Sequence, residues 1–326
     1  MVGRVNAATI AELTFSVPTA KMRAYRCLVC DEACRVTVPL RLGASDREIK
    51  RGKMEPPLQS FRRPPLVETA VALQFNSVDG LKNAHLGILW QAMRGDFPLV
   101  SDAQPLPNQT ETFNEQGLHV RRLPIFQLAP VAMTTRLQMA SADDRTMVQI
   151  QNGRIILNWR KGRDGEYPRW RTLLPKFKAA VDQFNEMLAA EQLGPAAMNQ
   201  WEVVYVNHLV RGRDWDSPAD WPALLPGLVA GKTSFETGKL ESLYCRIQLL
   251  MPDNTGRIHV DLFHGSNGLD TTDSEVLALQ ITARGGLPEA PSANAYDGLE
   301  LGHQAIVRTF CDLTGPQAQS KWEREK

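Results

Sequence analysis

The segment VQIQNGRIIL, residues 148–157, alternates apolar and polar positions on both sides of Asn152-Gly153. That pair between alternating runs predicts a β-hairpin, because a type I′ turn needs positive φ at both central residues. RLQMAS and TMVQIQ, just upstream, read as strands, and so does VETAVALQF at 67–75, an apolar run that suits a largely buried strand. Asp79 is the expected N-cap of a helix with Leu81, Ala84, His85, Ile88, Leu89 and Ala92 on one face and Gly95 as its stop. Residues 95–130, rich in Pro, Asn, Gln and Thr, read as a long surface connection. A second helix starts within 168–173 and carries a stripe of Phe177, Val181, Phe184 and Leu188 before Gly194-Pro195 ends it. The strand WEVVYVNHLV, a Trp- and Pro-rich loop at 211–235, and the strands LYCRIQLLM, RIHVDLF and EVLALQITA follow. A last helix runs over about 297–314, with Leu299, Ile306, Phe310 and Leu313 on one face and Gly315-Pro316 as its stop.

Strands in runs with few crossover helices predict an α+β fold, in which curved antiparallel sheet packs against long helices. Two pseudo-symmetric halves, 54–200 and 201–326, are expected, behind a poorly structured or spurious extension at 1–53. An internal echo sets Leu81, His85 and Ile88 against Leu299, His303 and Ile306.

Composition changes this picture little. Apolar residues make up 43% and charged residues 22% of 326, which is ordinary globular usage and argues against wholesale disorder. There is neither an apolar run long enough for a membrane span nor a secretory signal near the start. Five sparse cysteines fit a reduced, cytoplasmic setting.

Charge is more informative than composition. The net charge is +1, yet residues 1–53 hold ten Lys/Arg against five Asp/Glu. Residues 152–178 hold eight basic residues against Asp164 and Glu166. Arg154, Arg160, Lys161, Arg163, Arg169 and Arg171 could hold phosphates while Trp159, Tyr167 and Trp170 stack on bases, as in single-strand nucleic-acid binders. The competing reading is a hairpin, loop and helix start in which Trp159 closes a core and the basic residues form a solvated rim.

The remaining candidates are sparser. Cys27, Cys30 and Cys34 form C-x2-C-x3-C with no fourth ligand nearby, which is short of a structural zinc site. His259 and Asp261 share a strand face and could form an acid/base couple, and His303 lies on a helical stripe. No P-loop, dinucleotide fingerprint, nucleophile elbow or H-E-x-x-H occurs, and no cofactor is predicted.

PPLVETAVALQF at 64–75, NWRKGRDGEYPRW at 158–170, YVNHL at 205–209 and LGHQAIVRTFCDLT at 301–314 resemble a sporadically distributed family of uncharacterised bacterial proteins. Its members begin shortly before the PP-hydrophobic-VE segment, which implies that Met54 is the start and that 54–326 carries the resemblance. The family brings no established activity. Its patchy occurrence implies an accessory role.

The expectation is a non-enzymatic bacterial binding protein. It would recognise a protein partner or an anionic ligand through the rim at 154–178. The alternatives are a nucleic-acid binder and a hydrolase-type enzyme centred on His259 and Asp261 or on His303. No membrane partner is expected.

Overall fold

The computed structural model describes residues 57–113, 135–162, 165–266, 274–287 and 295–325. They lie in a compact unit spanning 56–326. The leader with Cys27, Cys30 and Cys34, and also Arg163, fall outside the described residues.

The chain runs β1 (Leu66–Phe75), α1 (Asn83–Met93), β2 (Leu99–Ala103), β3 (Arg136–Ala140), β4 (Thr146–Gln151), β5 (Arg154–Arg160) and α2 (Trp170–Ala190). It continues through β6 (Met198–Val210), α3 (Trp221–Leu224), β7 (Ser234–Phe235), β8 (Gly238–Lys239), β9 (Tyr244–Leu250), β10 (Arg257–Ser266), β11 (Glu275–Gly286), α4 (Ala295–Leu313) and α5 (Pro316–Lys321). Nine strands form one sheet in the order β2-β3-β4-β5-β1-β6-β11-β10-β9, and every neighbouring pair is antiparallel. The mixed architecture with a large antiparallel sheet is therefore as the sequence predicts. β1 and β6 pair at the centre, so the sheet runs on across the expected boundary near residue 200.

Period-two alternation gives this sheet two unlike faces. One packs on α2 and α4: Phe75 meets Phe184 with ring centroids 5.3 Å apart, and Trp201 lies against Gly298 and Gly302 of α4. Trp159, Phe177 and Phe310 are all buried on this side. The other face is polar and carries Gln74, Gln151, Arg154, Gln200, Glu202, Arg257, His259 and Arg284, in register across β4, β5, β1, β6, β11 and β10.

Four sequence expectations need correcting. Lys82, not Asp79, precedes α1, and the His85 ring nitrogen accepts from the Lys82 N–H at 2.9 Å. The face of α1 that packs inward is Leu86, Leu89 and Met93, while Ile88 is exposed. Of the hairpin pair only Gly153 has positive φ, so the turn is not type I′. Asn152 serves a different purpose: its amide bonds Val78, accepting from N at 2.8 Å and donating to O at 3.0 Å. Finally, residues 95–130 are not simply a surface connection. They include β2, and then 104–113 crosses the polar face, bonded to three glutamine side chains.

Candidate anion-binding site

The basic segment divides once folded. Arg154 is buried on the polar face, with Nη2 donating to Gln74 at 2.7 Å. Trp159 is core, and Arg160 pairs with Asp144 at 3.0 Å. Trp170 is buried and stacks on His303 with ring centroids 4.5 Å apart, while its N–H donates to Glu300 at 2.6 Å. Tyr167 is hydrogen-bonded to Tyr205 at 2.7 Å, and Tyr205 to His303 Nδ1 at 2.9 Å. The rings of Trp159 and Trp170 thus fill the interior and offer no open face for a base to stack on. Arg171 is exposed, beside the start of α2.

Lys161, Gly165, Glu166, Tyr167 and Arg169 do come together, in the wall of a cleft of about 620 Å³. Arg62, Arg63, Arg213, Asp214, Lys321 and Trp322 complete much of its lining. Four remote stretches therefore build it: the approach to β1, the loop from β5 to α2, the exit of β6 and the end of α5. Six cationic side chains line the cleft with two carboxylates, and a third, Glu323, pairs with Arg62 at 3.7 Å and Arg63 at 3.2 Å, which leaves an excess of three positive charges in a protein whose net charge is +1. That volume lies within the usual range for small-ligand sites, about 300–1,000 Å³.

Each wall is fixed locally. The Arg62 and Arg63 N–H groups donate to the Glu323 and Trp322 carbonyls at 3.0 and 3.1 Å, which ties the chain before β1 to the stretch after α5. Phe61 packs edge-on to Phe310 and Trp322 beneath that pairing. The loop after β5 is tight: a Cβ on Gly165 would stand 2.1 Å from the Lys161 carbonyl oxygen, so no larger residue fits there. Arg169 precedes α2 with φ 71° and ψ 153°, a region that is almost exclusive to glycine and costs of order 1–3 kcal/mol for other residues. Its guanidinium donates to the Phe61 carbonyl at 3.0 Å.

Asp214 anchors the opposite wall. Its buried carboxylate accepts from Val210 N at 2.7 Å, from Arg213 Nη2 at 2.7 Å and from Trp322 Nε1 at 2.9 Å. Most of its charge is committed to structure, which leaves the cleft cations only partly neutralised. Among the described residues no carboxylate ion-pairs with Lys161. Burial pushes its ammonium pKa down, the Arg213 charge pushes the same way, and Asp214 opposes them. An anion entering the cleft buries the ammonium further but opposes the depression through its own charge.

The histidine candidates do not converge. His259 and Asp261 lie on the polar face, where His259 Nε2 meets Glu111 at 2.5 Å and Asp261 pairs with Arg246. His303 is on the helical side; burial lowers its pKa to about 4 against the opposing charge of Glu300. The sheet separates them, so they form no common site. Among the described residues no group of three or more His, Cys, Asp or Glu is arranged to hold a metal. No helix of the described residues is long and apolar enough to cross a membrane.

Sequence reasoning found the Lys161–Arg169 wall from its charge, but not the other three. Arg62-Arg63 and Arg213 carry no pattern that links them to residue 161. No protein-family model matches this chain, and no curated protein matches it.

Proposed function

We propose that this is a binding protein for a compact polyanion, of the phosphorylated kind, held in the cleft between Lys161, Arg169, Arg213, Arg62, Arg63 and Lys321. One observation carries the reading: six cations from four separate stretches converge on one concavity, with an excess of three charges once Glu323, the partner of Arg62 and Arg63, is counted. Like charges gathered this way repel, and a fold keeps such a cluster at a cost in stability unless something neutralises it. The strained Arg169 backbone at the same wall points the same way, since outliers of this kind concentrate where a side chain must be held in place. Guanidinium groups suit phosphate oxygens because their donors form a planar fork.

The test is calorimetric titration with inorganic pyrophosphate and tripolyphosphate at low and at moderate salt. Binding that weakens with salt, and weakens at least ten-fold in Lys161→Met and in Arg169→Gln but not in Arg171→Ala, is the expected result. No heat from either anion at low salt, or full affinity in Lys161→Met, refutes the reading. An oligonucleotide series in which affinity grows with length beyond the cleft favours the nucleic-acid alternative.

The finer architecture belongs to the same proposal. Two pseudo-symmetric halves forming a curved sheet are supported by the strand order, in which β3-β4-β5-β1 is repeated by β9-β10-β11-β6 and each meander is followed by a helix, α2 or α4. The resemblance to a sporadic bacterial family, and a reducing cytoplasmic setting, fit this reading, with Cys245 and Cys311 as free thiols.

A further inference from the structure

The polar face of the sheet already holds a piece of extended chain, and holds it in an unusual way. Gln151 accepts from Leu106 N and donates to Leu106 O, both at 2.8 Å. Gln74 does the same at Gln109, donating to O at 2.8 Å and accepting from N at 3.2 Å. Gln200 accepts from Glu111 N at 2.8 Å and donates to Gln109 O at 2.5 Å. Gln151, Arg154, Gln74 and Gln200 are cross-strand neighbours on β4, β5, β1 and β6. Their three amides make a ladder that reads main chain and ignores side chains.

Residues 106–111 cross the strands rather than joining them as another strand. Five residues at ~3.3 Å each cover ~16 Å, or just over three strand spacings of ~4.8 Å. At the far end the Glu111 carboxylate lies among Arg257, Arg284 at 3.1 Å and His259 at 2.5 Å, so the ladder ends in a socket for one acidic side chain. The segment QPLPNQTETF has Pro105 and Pro107, which stiffen it in extended form and remove two N–H groups the ladder does not use.

We propose that this face is a recognition site for an extended acidic peptide of a partner protein, and that residues 104–113 are its resident occupant. The argument for a foreign peptide rests on what the resident leaves unused. Arg154 is buried, with a relative exposure of 5%; one Nη bonds Gln74, while its Nε has no partner among the described residues. Glu202 offsets part of the Arg154 charge while Arg284 opposes it, so what the face lacks is an acceptor for the buried Nε–H, which a carboxylate beside it would supply. Arg154 stands between the glutamines that hold Leu106 and Gln109, where the resident offers only Pro107 and the neutral Asn108. A peptide with acidic residues at the positions of both Asn108 and Glu111 satisfies the face better than the protein's own segment. The resident competes through covalent attachment, which gives it an effective concentration of the order of millimolar.

The proposal is independent of the cleft, which lies elsewhere and shares none of these residues. It is tested with two labelled peptides: residues 104–113 as they stand, and the same peptide with Asn108→Asp. Each is titrated by fluorescence anisotropy into the full chain and into the full chain carrying Glu111→Ala. The expected result is weak binding to the parent protein and at least ten-fold tighter binding to the Glu111→Ala protein. The Asp peptide should bind at least five-fold better than the Asn peptide, and Arg154→Gln should abolish that preference. Equal, weak binding to both proteins, with Glu111→Ala melting cooperatively, overturns the proposal. Should Glu111→Ala fail to fold, hydrogen exchange on the parent protein decides: saturating Asp peptide must speed exchange of the Leu106, Gln109 and Glu111 amides, and unchanged rates overturn the proposal.

Discussion

Trp201 and the glycines around it allow a prediction whose sign turns on whether packing outweighs helix propensity. The indole, only 2% exposed, is walled by glycines on several sides. A Cβ built on Gly302 would stand 2.6 Å from its ring, one on Gly298 2.3 Å and one on Gly285 2.4 Å. Gly302→Ala should be favourable on helix propensity alone, by about 1 kcal/mol. Against that, the new methyl must move the indole by close to 1 Å to reach an ordinary contact, and overpacking of this kind costs about 1–3 kcal/mol. With Gly285 and Gly298 blocking the ring's escape, the upper half of that range applies. The net effect is a loss of about 1–2 kcal/mol. Gly87 in α1 is the control, because a Cβ there meets nothing within 4 Å and its alanine variant should gain about 1 kcal/mol. Urea unfolding at neutral pH measures both through shifts in midpoint at constant slope. In a Trp201→Leu background the cost of Gly302→Ala should vanish. If Gly302→Ala stabilises the protein as much as Gly87→Ala does, the packing argument is wrong.

Other outcomes follow from the buried charges. Burial alone would raise the Glu111 pKa, but the His259 hydrogen bond and charge, with Arg284 and Arg257, bring it down to about 2 from 4.5. A depressed carboxyl stabilises fully above its unfolded pKa and loses that contribution as pH falls through its folded one. The hold on residues 104–113 should therefore weaken between about pH 4.5 and 2 by roughly 3 kcal/mol, seen as faster exchange at Gln109 and Glu111. His208 and His303 are both held near a pKa of about 4, chiefly by burial; Arg213 adds to this at His208 and Glu300 opposes it at His303. The unfolded chain takes up these two protons first, so their contribution to the unfolding free energy should drop as pH falls from about 6.5 to about 4 and level off below, while Glu111 continues the decline; His303→Asn should remove about half of the slope above about pH 4.5. Asp214→Asn weakens the buried acceptor for Val210 N and Trp322 Nε1 and should cost about 1–3 kcal/mol by thermal melting, while Arg213, more than half exposed, loses little with its ion pair. Asn152→Ala loses two bonds to Val78 and should cost about 1–2 kcal/mol in urea, and Asn152→Asp, which sets a carboxylate oxygen against the Val78 carbonyl, should cost at least as much at neutral pH.

Where the sequence was legible, a repeating physical constraint had written it. Ile155, Leu157 and Trp159 alternate because β5 has one face on α2, and Phe177, Val181, Phe184 and Leu188 recur because α2 lies along that face. Such periods betray strands and helices but not what the polar positions between them do. Gln74, Gln151 and Gln200 stand at polar positions of their strands and bind another part of the chain, and nothing periodic marks a side-chain amide that grips a distant backbone. Asn152 was read for its turn propensity, and its real partner at Val78 is 74 residues away. The cleft was half visible, since the charge at 161–169 is local while Arg62, Arg213 and Lys321 join it only through the fold. Gly298 and Gly302 would count against a helix on propensity, until the bulk of Trp201 explains them.

The binding of residues 61–63 to 322–325 has a consequence for how the protein matures. A ribosome makes Lys321 and Trp322 about 260 residues after Arg62 and Arg63, so the cleft is incomplete on a nascent chain even when β1 to β6 have already emerged. In the proposed binding role, a polypeptide stalled or clipped before Lys321 would lack one wall of the cleft and should hold its anion less well.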